Sequence, residues 1–423
     1  MTASSLYNMV DSIFIGHGVG PLAISGLAIT FPLMNLAAAF GSLVGVGAST
    51  LVSVKLGQKD YATAQNILGN VVTLNFIIGI GFSILTLLFL DPILYFFGAS
   101  PDTISYARDY MVIILLGNVI THMYLGLNAL LRASGHPQKA MTATITTVII
   151  NTILDPIFIY LFHWGIQGAA IATMLSQVVG GLLPVFYFLN RNNTSRIHLC
   201  RPRFEGKVLL NACVNGSSEL MTNLSMSLVN ILYNYQLLRF AGEDGVAAYG
   251  VIMYASFLFV AVFVGYAVGS APIVSYHYGA NNRKEVNNLY RKSLKLIGVV
   301  AVGMTIGSMF IIPHVARFFV GYDENLLILT TRAFRLYGLS FLIMGFNVYA
   351  SSFFTALGDG VTSALISFLR TLLFQVAAVL LLPLLLGIDG IWLAVTAAEL
   401  AALLVSIGLF ITRDQQFHYR KAE

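Results

Sequence analysis

Residues 67–90 read ILGNVVTLNFIIGIGFSILTLLFL, an unbroken stretch without a charged side chain. As a helix rising 1.5 Å per residue it is about 36 Å long, more than the ~30 Å hydrocarbon core of a bilayer, and so predicts a transmembrane helix. Similar runs lie around it, near 2–17, 27–56, 107–132, 138–163 and 166–190. A second set follows near 209–240, 246–278, 289–314, 327–356, 361–386 and 390–412. Twelve crossings in 423 residues leave no room for a soluble domain. The composition agrees, with 57% hydrophobic and 10% charged residues, whereas soluble domains carry about 25% charge. A soluble enzyme is excluded. The two cysteines, Cys200 and Cys213, exclude a disulfide scaffold and match no metal-binding spacing. Met1 leads straight into a polar-flecked helix with no basic start, so no cleavable signal peptide is expected.

Dealing the loops alternately to the two sides of a membrane puts seventeen of the 23 Lys and Arg on one side, among them Lys55, Lys59, Arg132, Lys139 and the cluster from Arg191 to Lys207. Arg108, Arg239, Arg317, Arg332 and Arg335 fall on the other. The positive-inside rule then expects both termini in the cytoplasm. The net charge of +5 thereby reflects topology, and a nucleic-acid partner is not expected. The first helix, 2–17, is ~25 Å long, barely spans, and carries Ser4, Ser5, Asn8, Asp11 and Ser12. It is expected to be shortened or sheltered in a bundle.

Sliding the chain against itself by 222 residues aligns Gly47, Val52, Ser53 and Gly57 with Gly269, Val274, Ser275 and Gly279. It also aligns Gly165, Ile166, Gly168 and Ala172 with Gly387, Ile388, Gly390 and Ala394, while Ala133 and Gly135 meet Ala356 and Gly358 at a shift of 223. Six helices per copy is an even number, so both copies enter the membrane from the same side as parallel repeats. The expected organisation is all-α: a six-helix lobe over 1–190, a basic linker over 191–208, and a second lobe over 209–423. Two such lobes suit a carrier that opens alternately to either side. The alternative is a duplicated scaffold without a transport role.

Ionisable groups inside a membrane are costly and mark function by default. Five fall within the predicted helices: Asp11, Asp155, Glu219, Arg370 and Glu399. Asp155 lies ~25 Å along its helix, and Asp11 ~9 Å below the opposite surface, which gives the two carboxyls similar depth. Asn151 shares the Asp155 face one turn earlier, and Thr173 lies ~10 Å below the same surface on the next helix. Oxygen donors gathered at one level suit a proton or a hard cation such as Na+. Pro156 has no N–H for the carbonyl of Thr152, and Tyr7 and Asn8 lie one turn from Asp11. Two adjacent carboxylates can also hold one proton between them. The alternative is that Asp155 merely caps or kinks its helix. At the 222 shift Asn151, Asp155 and Thr173 map to apolar Leu373, Ala377 and Val395, so the site is expected in the first lobe only. Arg370 and Glu399, both ~14 Å deep, are expected to pair, either structurally or in gating or substrate contact. Glu219, with no evident partner in sequence, is a candidate second proton site or receiver of a cationic substrate. His122, His163, His277 and His314 read as helix-end residues, and Gly41, Gly45 and Gly47 as close helix packing.

Four stretches carry a family resemblance: LYNMVDSIFIG at 6–16, NTILDPIFI at 151–159, GAAIAT at 168–173 and FFTALGD at 353–359. With them the chain resembles, over nearly its whole length, the multidrug and toxin extrusion (MATE) family, in its bacterial MepA-like branch. The resemblance implies twelve helices in two lobes and export of mostly cationic, lipophilic drugs in exchange for H+ or Na+. It implies a first-lobe cation site, carried here by Asp11, Asn151, Asp155 and Thr173. Members usually begin some thirty residues earlier, with a Pro in the first helix. NorM-type members carry second-lobe acids that this chain lacks around Met344 to Asn347, and Glu219 stands about two turns too early to replace the helix-seven acid.

The expected protein is therefore a multi-pass antiporter of a bacterial inner membrane, monomeric, with drug-like substrates and lipid as partners. No cofactor is expected beyond the coupling ion, and no metal beyond Na+ at Asp11 and Asp155. A lipid-linked oligosaccharide flippase, or another metabolite exporter of the same superfamily, is the alternative, disfavoured by the lack of a first-lobe mid-membrane cation. The loop at 56–65, LGQKDYATAQ, does not match a major-facilitator carrier. A membrane enzyme is disfavoured because the sequence offers no paired His, Ser/His/Asp set or metal spacing.

Overall fold

The computed structural model describes residue 11 and residues 14–321 and 323–419. All regular structure among them is helical. Asp11 and residues 14–18 form the visible end of α1, and the rest of the expected first helix, including Tyr7 and Asn8, lies outside the described residues. The chain continues as α2 (Pro21–Gly57), α3 (Tyr61–Leu88), short α4 (Leu90–Phe96), α5 (Ile104–Ala133), α6 (Pro137–Pro156) with a π turn (Ile157–Leu161), and α7 (Gly165–Leu189). After the linker come α8 (Gly206–Gly279), α9 (Arg283–Val320), α10 (Glu324–Gly338), α11 (Phe341–Ala356), α12 (Gly360–Phe368), a second π turn (Leu369–Leu373), α13 (Phe374–Leu386), α14 (Ile388–Thr412) and α15 (Asp414–Phe417).

Among the described residues, nine helices or joined segments are long and apolar enough to span a bilayer, and α10 with α11, bent by 46°, makes a tenth if the pair is one span. The long α8 is two helices joined at Gly242 (φ 64, ψ −153) and supplies two crossings. The described residues thus hold eleven crossings of a multi-pass membrane protein, and α1 enters only by its described end. Its outward faces are oily: Phe96, Leu385 and Leu88 are 83%, 81% and 72% exposed, the arrangement lipid requires and water would penalise.

The chain forms two compact units, Met1–Leu220 and Met221–Glu423, so the division falls within α8 and the linker packs with the first unit. There Asn66 Oδ1 accepts from the Arg203 N–H (2.8 Å), and the Leu199 N–H donates to the Phe188 carbonyl (2.7 Å). Repetition is visible in backbone detail. Left-handed φ values recur at the sequence shift: Lys59 and Asn281 (61° and 56°), Gly135 and Gly358 (84° and 83°), Gly165 and Gly387 (55° and 58°). Ser53 donates to the Ala133 carbonyl (3.1 Å) as Ser275 does to that of Ala356 (2.8 Å). Asp60 and Asn282 each cap the following helix, accepting from Thr63 N–H and Glu285 N–H at 3.1 Å. The Thr63 hydroxyl and N–H hold the Asp60 carboxyl below its ordinary range.

Small residues set the closest crossings, as lipid-embedded helices require. Gly45 meets Gly126 of α5, where an added Cβ would lie 2.9 Å from its Cα. At the α2–α8 crossing a Cβ on Gly47 would lie 1.8 Å from the Ala212 carbonyl oxygen, and one on Gly216 1.8 Å from that of Leu43. Gly81, on α3, has open space around it. Gly47→Ala is therefore expected to cost about 1–3 kcal/mol by overpacking and to lower the unfolding temperature of the detergent-solubilised protein. Gly81→Ala should leave that temperature near wild type, and equal behaviour of the two variants would contradict the crossing.

Candidate functional site

On α6, Thr147, Asn151 and Asp155 form one buried stripe at helical spacing. The facing helix α7 approaches closely because its surface is built of small side chains. A Cβ on Gly168 would lie 3.0 Å from Phe158, and one on Gly180 1.8 Å from Thr147 Oγ1. This brings Thr173 within reach of Asn151, whose amide donates to Thr173 Oγ1 at 3.4 Å and to Asp155 Oδ1 at 3.3 Å. Thr173 in turn donates to Asp11 Oδ2 at 3.4 Å. The structure thus gathers all four predicted residues from three spans, and each is buried: Asp11 4%, Asn151 1%, Asp155 0% and Thr173 2% exposed.

Two features hold α1 in register. Pro156 ends the regular part of α6 and is followed by the π turn, as loss of its N–H permits. Tyr160 in that turn donates its hydroxyl to the Phe14 carbonyl (3.1 Å), and the Phe14 and Tyr160 rings meet edge to face at 6.2 Å. Phe14 stands one turn from Asp11. Sequence reasoning missed this pair, and the available signal was an aromatic with a polar tip placed just after Pro156.

The cluster has more acceptors than donors. Asp11 Oδ1, Asn151 Oδ1 and Asp155 Oδ2 are buried without a hydrogen-bond partner among the described residues. The bonds that exist lie at the long end of the range, where 2.9–3.0 Å is usual. Asp11 and Asp155 interact with each other, and neither meets a cationic side chain among the described residues. Two desolvated carboxyls without a countercharge cost several kcal/mol each. An arrangement of oxygen acceptors is suited to a proton or a small hard cation. At the equivalent positions of the second unit Leu373 is 49% exposed, Ala377 is also exposed and Val395 is buried, so no counterpart forms there.

The second unit carries a different polar centre. Arg370 Nε donates to Glu399 Oε1 at 2.7 Å, and Asn347 Nδ2 donates to Glu399 Oε2 and to its backbone carbonyl, both at 2.8 Å. Ser406 completes Asn347 by donating to Oδ1 at 3.0 Å. Glu399 is fully enclosed and both its oxygens are satisfied. The predicted pair is thus brought together, on a framework from α11 and α14 that sequence did not indicate. Glu219 is not isolated either: it interacts electrostatically with Arg132, which also bonds to Asn128 Oδ1. His122, read as a helix-end residue, instead lies in the middle of α5, 0% exposed. Its ring sits 6.5 Å from that of Phe82. The expected run 107–132 already held His122 well inside the helix, and the helix-end reading rested on residue type alone; packing within the bundle encloses the ring.

A MatE family model matches residues 1–157 and again 220–380, once in each half of the chain. The "Multidrug export protein MepA" of Staphylococcus haemolyticus (strain JCSC1435) is 25% identical over 414 residues, 97% of this chain and 90% of that protein. Its namesake from Staphylococcus aureus (strain MSSA476) is 24% identical over 97% of this chain and 91% of its own length. Among solved structures, a MATE transporter in complex with MaL6 superposes with a TM-score of 0.92 at 25% identity, covering 99% of this chain and 94% of that one. An outward-facing multidrug resistance MATE family transporter of the MOP superfamily gives a TM-score of 0.92 at 25% identity, covering 99% and 93%. With one family match per half and the twelve-helix fold of these neighbours, the chain belongs to the MatE family.

Proposed function

We propose that this chain is a multidrug exporter of the bacterial cytoplasmic membrane, working as an antiporter in which H+ or Na+ enters as lipophilic, mostly cationic drugs leave. The observation that carries the reading is the enclosed group of Asp11, Asn151, Asp155 and Thr173, with three acceptor oxygens unpartnered among the described residues. The relatives named as multidrug export proteins, similar over nearly the full length, support the substrate class.

In this mechanism the coupling ion, itself a substrate, reaches the first unit from the side opposite the basic loops. Asp11 and Asp155 supply the negative charge. Asn151 and Thr173 supply neutral oxygens and keep the two carboxyls facing each other. Occupancy supplies the missing positive charge, and α1 draws toward α6 and α7. Drug binding and ion binding thereby favour different conformations, which is the requirement for coupling. Both termini and the basic linker face the cytoplasm.

Asp155→Ala is expected to reduce gradient-driven ethidium uptake into everted vesicles by about tenfold or more, at unchanged membrane abundance. Imposing a pH gradient and a Na+ gradient separately identifies the coupling ion, and full uptake in the variant refutes the site. The orientation has its own check. In a Cys213→Ser background, a membrane-impermeant maleimide should label Cys200 in everted vesicles and spare it in right-side-out ones; the reverse pattern inverts the topology.

A further inference from the structure

The polar centres of the two units are unbalanced in opposite directions. The first leaves acceptors unpartnered, and the second leaves donors. Glu399 has both oxygens occupied, by Arg370 and Asn347. Arg370 uses only Nε in that pair. A guanidinium has five N–H groups in a rigid fork. The four on the terminal nitrogens of Arg370 have no hydrogen-bond partner among the described residues, and its side chain remains 14% exposed.

The location makes those donors significant. Arg370 follows the start of α12 at Gly360 by ten residues, ~15 Å along the helix axis. At that depth an arginine exposed to hydrocarbon is costly, and the part of its side chain that stays accessible calls for a polar partner. The backbone is also altered there. Arg370 lies in the π turn Leu369–Leu373, a distortion that often accompanies functional sites. In the first unit the π turn directly follows Pro156, which explains it. The nearest proline to the second is Pro383, well beyond the turn. The helix is thus distorted at Arg370 without a proline to force it.

Because Glu399 offsets the charge, the site has little attraction for a simple anion from water. It selects instead by geometry, offering two parallel N–H groups that match the two oxygens of a carboxylate. We infer that Arg370 is a substrate-binding residue whose free guanidinium fork receives the carboxylate of zwitterionic drugs. The inference rests on the exporter reading above and extends its substrate class from lipophilic cations to amphiphiles that also carry a carboxylate. Glu399 and Asn347 act as positioning residues that hold the fork in place.

The test compares tetramethylrhodamine, which carries a free carboxylate, with its methyl ester, a cation without one. Export of both is measured as uptake into everted vesicles bearing wild type, Arg370→Lys, or the double variant Arg370→Gln with Glu399→Gln. Lysine keeps the charge opposite Glu399 but loses the fork, and the double variant removes both charges together, so neither leaves a lone buried ion. The acid-to-ester rate ratio is expected to fall roughly tenfold in both variants. Equilibrium binding of the two dyes to solubilised protein, read by fluorescence anisotropy, should show the same loss of preference without requiring turnover. A binding ratio within about twofold of wild type in both variants overturns the assignment and leaves Arg370 structural. Wild-type export of the ester without the acid overturns it while sparing the exporter reading. Export of neither dye overturns both.

Discussion

The controlling constraint is the burial of two carboxyl groups, Asp11 and Asp155, where no cationic side chain among the described residues neutralises them. Hydrocarbon offers no hydrogen bonds, so every polar group within it must find a partner inside the protein or take one from solution. In the second unit Arg370 and Asn347 meet that demand for Glu399. In the first the described side chains meet it only in part, through Asn151 and Thr173, at one level across three spans. A structure under this condition favours whatever proton or small cation can enter, and that preference is the thermodynamic source of coupling on the proposed reading.

The two units share a backbone plan and differ in chemistry. Turn geometry, the Ser53 and Ser275 bonds and the capping positions repeat. The functional side chains do not. One helix-end pair shows how little backbone change this divergence needs. Gln167 donates to Asp109 Oδ2 at 3.0 Å in the first unit, and in the second their counterparts by the sequence shift, Asp389 and Arg332, form an ion pair. The tie between corresponding helices is kept while its charges are rearranged. The shared backbone plan therefore places corresponding helices alike, and different side chains at facing positions give each unit its own polar centre.

Much of this was legible because membrane insertion imposes simple rules. Helix rise placed Asp155 and Asp11 at similar depth, and the four-residue spacing put Asn151 beside Asp155. The constant shift showed the repeat. What was not legible depends on contacts distant in sequence. Arg132 and Glu219 are 87 positions apart and interact only because α8 crosses the first unit near its basic end. Asn347 reaches Glu399 across 52 residues. The bend between α10 and α11 and the π turn at Arg370 have no proline to announce them, so an apolar run of suitable length read as one straight helix. His122 was misplaced for a related reason: residue type alone suggested an interface, whereas the course of α5 puts it inside.

Small residues connect these observations. In water, burial of large apolar side chains drives helices together, but lipid gives no such advantage, and close approach must come from shape. Gly168 and Gly180 let α7 approach α6 and its π turn closely enough for Thr173 to meet Asn151. With a bulkier face the same polar residues would remain too far apart to cooperate, and each would be a separate cost in the membrane. The GAAIAT run is therefore part of the site although it contributes only one polar side chain. On the proposed reading it also limits the response: helices already at backbone contact cannot close further there, so an entering ion moves α1, whose Phe14 is held by a ring contact and one hydrogen bond from Tyr160.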